Sequence, residues 1–107
     1  MTEEIYDLII IGGGSAALSA GIYAGRAMMD TLIIEKDKIG GQVTTTSEIV
    51  NYPAIRHTTG PELMEEMRSQ AQDFGVAFTN DEIIDVDFSQ TIKTVQSASQ
   101  TYKAYAV

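Results

Sequence analysis

Apolar residues in this chain fall into short blocks whose spacing changes from strand-like to helical and back. Ile5 to Ile11 is a mostly apolar, β-branched run that stops at Gly12. Such a run predicts a fully buried strand of the parallel type. Gly12-Gly13-Gly14 predicts a tight turn. Ser15 to Ala27 is alanine-rich, and Leu18, Ile22 and Tyr23 recur at helical spacing. Ala16, Ala20 and Gly21 on that helix let another backbone come close. Thr31 to Glu35 is a second short buried strand. Strand, helix and strand fit within the span of one βαβ unit, whose crossover is expected to be right-handed.

Asp37 to His57 shows no clear period. It holds Gly40-Gly41, the threonines Thr44, Thr45 and Thr46, and Asn51-Tyr52-Pro53. A long loop without pattern inside a small domain points to function or disorder. Helical spacing resumes at Thr59-Gly60-Pro61-Glu62, where Thr59 and Glu62 have the separation of a capping box and Pro61 suits a first turn. Leu63, Met67, Ala71 and Phe74 form one apolar stripe, with Gly75 placed to end the helix. Val76 to Phe78 predicts a third strand. Ile83 to Phe88, Thr91 to Val95 and Thr101 to Val107 predict a meander, with turns at Ser89-Gln90 and Ser97 to Gln100. The expected fold is α/β. Three parallel strands form the sheet, with the first at one edge of the set. Helices lie on one face and the antiparallel meander on the other.

Composition narrows the chemistry. The 107 residues contain 44% hydrophobic and 21% charged side chains, which suits a soluble globular domain rather than a disordered chain. The absence of cysteine excludes a disulfide framework, a thiol nucleophile and thiolate metal sites in this polypeptide. The single histidine, His57, argues against a multi-histidine metal site. A net charge of −8 argues against nucleic acid, which needs a basic face. Leu8 to Gly25 is uncharged and long enough to weigh as a membrane span, but five glycines and two serines interrupt it. Together with the acidic start Met1-Thr2-Glu3-Glu4, this leaves no membrane partner and a cytoplasmic location as the expectations.

Gly12-Gly13-Gly14-Ser15-Ala16-Ala17 fits G-x-G-x-x-A between a predicted strand and a predicted helix. Gly12 permits the turn, Gly14 leaves room for a pyrophosphate, and Ala17 lets the helix pack on the strand. The helix N-terminus offers unpaired N–H groups to phosphates. Glu35 ends the next strand, where an acid accepts hydrogen bonds from an adenosine ribose. NAD(H), NADP(H) and FAD all satisfy this pattern, with NADP(H) disfavoured by the acid. Gly40-Gly41, Gln42 and Asn51 suit a ribityl chain and a flavin edge better than a compact nicotinamide ribose.

Four segments occur in one order at close spacing: Tyr6 to Gly14, Ile22 to Ala27, Gly40 to Thr46 and Thr59 to Met64. Together they resemble the N-terminal FAD-binding segment of the bacterial thioredoxin reductase family, over nearly the whole chain. Ser15 and Ala17 stand where that family often has proline and glycine. Tyr52-Pro53-Ala54 replaces its usual aromatic-Pro-Gly. The resemblance implies a Rossmann-like FAD/NAD(P)-binding half domain. It implies that Gly12, Gly13, Gly14, Ser15 and Ala16 hold the FAD pyrophosphate, and that Glu35 with Lys36 holds the adenosine ribose. Ile39, Gly40, Gly41, Gln42 and Asn51 would line the ribityl and flavin portion, and the Ile83 backbone would meet the adenine edge.

By the same resemblance, residues 1–107 are expected to be the first part of a discontinuous FAD domain. An NADPH domain with a Cys-x-x-C pair and a returning FAD segment would lie elsewhere. The apolar run Ala104-Tyr105-Ala106-Val107 is expected to leave an open sheet edge, with self-association through it. The implied whole protein is a homodimer that passes electrons from NADPH through FAD to thioredoxin or a similar small redox protein. This chain alone is expected to be catalytically incomplete, with no catalytic residue and no metal ligand. The alternatives are a stand-alone dinucleotide-binding module and a related reductase with a ferredoxin or peroxiredoxin partner.

Overall fold

The computed structural model describes residues 4–36 and 58–107. Their elements in chain order are β1 (Ile5–Ile11), α1 (Ser15–Arg26), β2 (Thr31–Glu35), α2 (Gly60–Asp73), β3 (Ala77–Asn80), β4 (Ile83–Asp87), β5 (Lys93–Ser97) and β6 (Thr101–Ala106). The strands hydrogen-bond in the order β3-β2-β1-β6-β5-β4. β1 is parallel to β2, with Leu8 opposite Thr31 and Ile11 opposite Ile34. β2 is parallel to β3, with Leu32 opposite Ala77.

The expected α/β architecture is present, with one addition to the parallel set. β6 runs parallel to β1, with Ile5 opposite Lys103 and Leu8 opposite Ala106. Four strands are therefore parallel rather than three, and β1 lies inside the set rather than at its edge. β6 also pairs antiparallel with β5, so it serves as the last strand of the meander and the fourth parallel strand at once. Side-chain period reports which face a residue takes but not which neighbour its backbone finds, so this double role leaves no mark in the pattern. The run expected to be an open edge has β1 on one side as far as Ala106. On the β5 side, pairing ends at Ala104.

Alternation along the strands separates two cores. Ile33 faces Leu18 of α1 and Leu63, Met64, Met67 and Ala71 of α2, with Val76, so both helices cover one face. Ile9, Leu32 and Ile34 point the other way and pack with Val95 and Ala104. Ile83, Tyr6 and Tyr102 pack against that second group. The meander thus covers the face away from the helices while remaining joined to the sheet through β6. Tyr102 of β6 donates its hydroxyl proton to Asp81, just after β3, at 2.7 Å. That bond joins the link that follows β3 to the last strand of the meander.

Element ends follow the expected chemistry with some shifts. Thr59 caps α2, its hydroxyl accepting from Glu62 N–H at 3.2 Å. Glu62 turns its carboxylate to the Thr58 hydroxyl. Ser97 closes the last turn, donating its N–H to Gln100 O at 2.9 Å. Four further expectations need correction. β1 is not fully buried, because Ile11 at its end is 46% exposed. Tyr23 points outward at 72% exposure, and Phe74 is the half-exposed C-cap of α2 rather than a member of its stripe. The turn at Ser89-Gln90 is a longer link over residues 88–92, in which Asp87 accepts from the Ser89 N–H and hydroxyl at 2.9 and 2.6 Å.

Candidate functional site

The parallel strands β1 and β2 end side by side, and in open α/β sheets ligands bind outside such carboxyl ends. Gly12 leaves β1 with a φ of +115°, a conformation that side chains oppose. Its N–H is bonded to Ile34 O at 2.7 Å, so the turn is pinned to the neighbouring strand. Gly13 abuts Glu35: a β-carbon there would lie 2.7 Å from Glu35 Oε2 and 3.0 Å from its Cβ and Cγ. Gly14 is the N-cap of α1, with no side chain to cap the helix, and the first turn carries no acid. The first main-chain bond of α1 joins Leu18 N–H to Gly14 O at 3.0 Å. The N–H groups of Ser15, Ala16 and Ala17 precede it and have no partner one turn back in the helix. They and the helix dipole favour an anion at this end.

A cleft of about 240 Å³ opens beside this turn, lined by Ile11, Gly12, Ile34, Glu35, Lys36, Asp81, Glu82 and Ile83. It unites three places that the sequence holds far apart: the glycine turn, the acid ending β2, and the start of β4. Glu35 Oε1 accepts from Lys36 N–H at 2.8 Å. Lys36 Nζ lies 3.6 Å from Glu82 Oε1 across the exposed mouth of the cleft. Of the residues expected to hold a ligand, Gly12, Glu35, Lys36 and Ile83 line this cleft. Gly13, Gly14, Ser15 and Ala16 form the adjoining turn and helix start. Ile39, Gly40, Gly41, Gln42 and Asn51 lie outside the described residues.

Asp81 and Glu82 were not expected at the site. The signal available was two consecutive acids in a two-residue link directly before Ile83. Asp81 donates its N–H to Glu35 O at 3.0 Å and so fixes one wall of the cleft to the other. Hydrogen bonds from Ser97, and then from Tyr102, hold its carboxyl below the usual aspartate range. Tyr102 is pushed up from the ordinary phenol value by burial and by its bond to that carboxylate.

A dinucleotide suits this donor set. Its pyrophosphate matches the uncapped helix start. The absence of a β-carbon at Gly14, with no described atom within 4 Å of where one would sit, leaves room for close approach. Its ribose hydroxyls match the Glu35 carboxylate. Among the described residues no cluster of three or more His, Asp or Glu is arranged to hold a metal ion. Among them, too, no helix is long and apolar enough to cross a membrane.

The sequence pattern of the pyridine nucleotide-disulphide oxidoreductases matches residues 6–107. A thioredoxin reductase of Peptoclostridium acidaminophilum is 46% identical over 98% of this chain and 34% of its own length. One from Listeria monocytogenes is 44% identical over 98% of this chain and 33% of its own. The crystal structure of thioredoxin reductase from Streptococcus pyogenes superposes with a TM-score of 0.92 at 33% identity, covering 97% of this chain and 34% of that one. The chain thus spans about a third of the length of the curated relatives it matches. With the glycine turn, the acid ending β2 and the fold all in agreement, the chain belongs to the pyridine nucleotide-disulphide oxidoreductase family.

Proposed function

We propose that this chain is the FAD-binding portion of a thioredoxin reductase-like flavoprotein. The observation that carries the reading is the cleft at the carboxyl ends of β1 and β2, where Gly12 and Glu35 meet beside an uncapped helix start. Gly12 to Ala16 receive the pyrophosphate, Glu35 and Lys36 the adenosine ribose, and the Ile83 backbone the adenine edge. Ile39 to Gln42, with Asn51, serve the ribityl and flavin half. Residues 1–107 form the first part of a discontinuous FAD domain.

When bound, FAD supplies a two-electron carrier between NADPH and a disulfide. The residues of this chain bind and orient it. None of them donates or accepts the substrate electrons, because the chain has no cysteine. The dithiol and the NADPH site belong to the rest of a longer protein. That protein is proposed to be a cytoplasmic homodimer whose partner is thioredoxin or a similar small redox protein.

Titration of the purified 107-residue chain with FAD tests the reading. Binding is expected to perturb the flavin absorption near about 450 nm and its fluorescence, and ADP is expected to compete. With NADPH, FAD, thioredoxin and a disulfide dye, this chain alone is expected to show no turnover. A chain that neither perturbs the flavin spectrum nor binds ADP would overturn the FAD assignment. Robust turnover by a sample of verified mass would overturn the division of labour.

A further inference from the structure

The wall of the cleft that faces Glu35 is the two-residue link between β3 and β4, and that link hangs on one carboxylate. The Asp81 N–H donates to Glu35 O at 3.0 Å, tying the link to the end of β2. Its Oδ1 accepts from Glu82 N–H at 2.9 Å, which sets the course of the chain into Ile83. Its Oδ2 accepts from the Tyr102 hydroxyl at 2.7 Å. Gln100 Nε2 donates to the same Tyr102 oxygen at 2.5 Å. Gln100 is held in turn by Ser97. Ser97 is only 2% exposed, and its hydroxyl and N–H are both bonded to Gln100 O.

These anchors are rigid for a physical reason. The Tyr102 ring packs against the buried group of Ile9, Leu32, Ile34, Val95 and Ala104. Its hydroxyl therefore reaches Asp81 from a fixed base in the meander, not from a mobile surface chain. One residue thus joins the three parts that make the cleft: its N–H ties the β3–β4 link to β2, and its carboxylate ties the link to the meander.

We infer that Asp81 is a positioning residue: held by Tyr102, it fixes Glu82 and Ile83 against Glu35, so that the adenosine end of the cleft is formed before a ligand arrives. This rests on the nucleotide reading given above. A pre-formed wall raises affinity because its ordering is not charged against binding. The role is indirect, since Asp81 acts through the link and not through a contact with the reacting part of a cofactor.

The test uses the 107-residue chain in wild-type, Tyr102→Phe, Asp81→Asn and Gly25→Ala forms. Tyr102→Phe keeps the packed ring and removes only the hydroxyl. Gly25→Ala strains the opposite, helical face and controls for lost stability. Dissociation constants for FAD and ADP are measured well below each unfolding midpoint, together with backbone amide exchange. Both constants are expected to rise about tenfold in Tyr102→Phe and Asp81→Asn, the size of one lost hydrogen bond, and to stay unchanged in Gly25→Ala. Exchange at the Asp81 and Glu82 amides is expected to accelerate without ligand, while α1 keeps its protection. Unchanged FAD and ADP affinity in both cleft variants, or equal weakening in Gly25→Ala, overturns the inference and leaves the FAD site standing. A wild-type chain that binds neither FAD nor ADP removes the nucleotide reading and the inference with it.

Discussion

A β-carbon on Gly14 would meet no described atom within 4 Å, whereas one on Gly13 would lie 2.7 Å from Glu35 Oε2. The two positions therefore separate ligand space from protein packing. Gly14→Val is expected to cost the fold under about 1 kcal/mol, the range for a poor N-cap. It should weaken FAD more than tenfold, or about 1.4 kcal/mol, because the branched side chain fills the approach to the helix start. Gly13→Ala is expected to weaken FAD through a different route, by pushing the Glu35 carboxylate out of place, with a lower unfolding midpoint as well. Calorimetry for stability and flavin titration for affinity read the two effects apart. Full flavin affinity in Gly14→Val would reduce the glycine turn to a purely structural one. The two halves of this site differ in how far sequence reveals them. Glycines at fixed offsets and an acid ending the next strand are local features, so Gly12 to Gly14 and Glu35 can be read directly. Asp81 reaches the cleft only because the chain returns through α2 and β3, and no spacing in the sequence encodes that return.

Among the elements, α1 shows where small residues decide packing. A β-carbon on Gly25 would sit 2.7 Å from Phe74 Cβ, 3.1 Å from Phe74 O and 3.2 Å from Val76 Cγ2. Alanine inside a helix gains about 1 kcal/mol over glycine in intrinsic propensity. Overpacking costs about 1–3 kcal/mol, and the obstructing atoms of Phe74 lie on or next to the backbone, so they cannot swing aside. The second effect wins. Gly25→Ala is expected to lose about 1–2 kcal/mol net, seen as a lower denaturant midpoint at unchanged slope. A Gly25→Ala chain as stable as wild type would show that α1 has room to shift on α2. Of the small residues that the sequence marks as contact points, Gly21 packs on Ile33 while Ala16 and Ala20 are exposed, and Gly25 goes unmarked because the atoms that crowd it belong to the end of α2 and the residues after it. Tyr23 illustrates the converse. Five residues after Leu18, it lies about 140° round the helix from it and is exposed. The capping at Thr59 needed no distant information and is found where the Thr59–Glu62 spacing puts it.

Across the whole molecule, fifteen acids against seven basic residues leave a surplus of negative charge, and individual carboxylates differ in how the fold treats them. Asp81 and Asp87 are held below the ordinary range, Asp81 by Ser97 and Tyr102 and Asp87 by Ser89. Asp30 is shifted the other way, first by burial, then by its hydrogen bond to Glu4 and the charges of Glu4 and Asp7. A carboxyl with a depressed folded pKa adds stability that is present above its unfolded pKa and is lost as pH falls through the folded one. A carboxyl with a raised folded pKa does the reverse: its relative stabilisation is complete below the unfolded value and is gone once pH passes the folded one. At neutral pH, then, Asp81 and Asp87 support the fold and Asp30 works against it. Tyr6, pushed up to about 12 by burial and its bond to Glu4, keeps its contribution from neutral pH into the alkaline range, and it is lost as pH rises through that value. Asp30→Asn keeps the main-chain N–H that donates to Asp7 Oδ2 at 2.8 Å, and its amide donates to Glu4 without a second charge. Its unfolding midpoint is expected to exceed that of wild type at pH 7. The difference should shrink as pH falls through the aspartate range, because wild-type Asp30 then carries a proton of its own. Asp81→Asn is expected to lower the midpoint at pH 7, with that loss also shrinking in acid. Thermal unfolding of both variants from neutral to acid pH checks the signs. A lower midpoint for Asp30→Asn at pH 7 would mean that Asp30 helps the fold through contacts that outweigh its repulsion by Glu4 and Asp7.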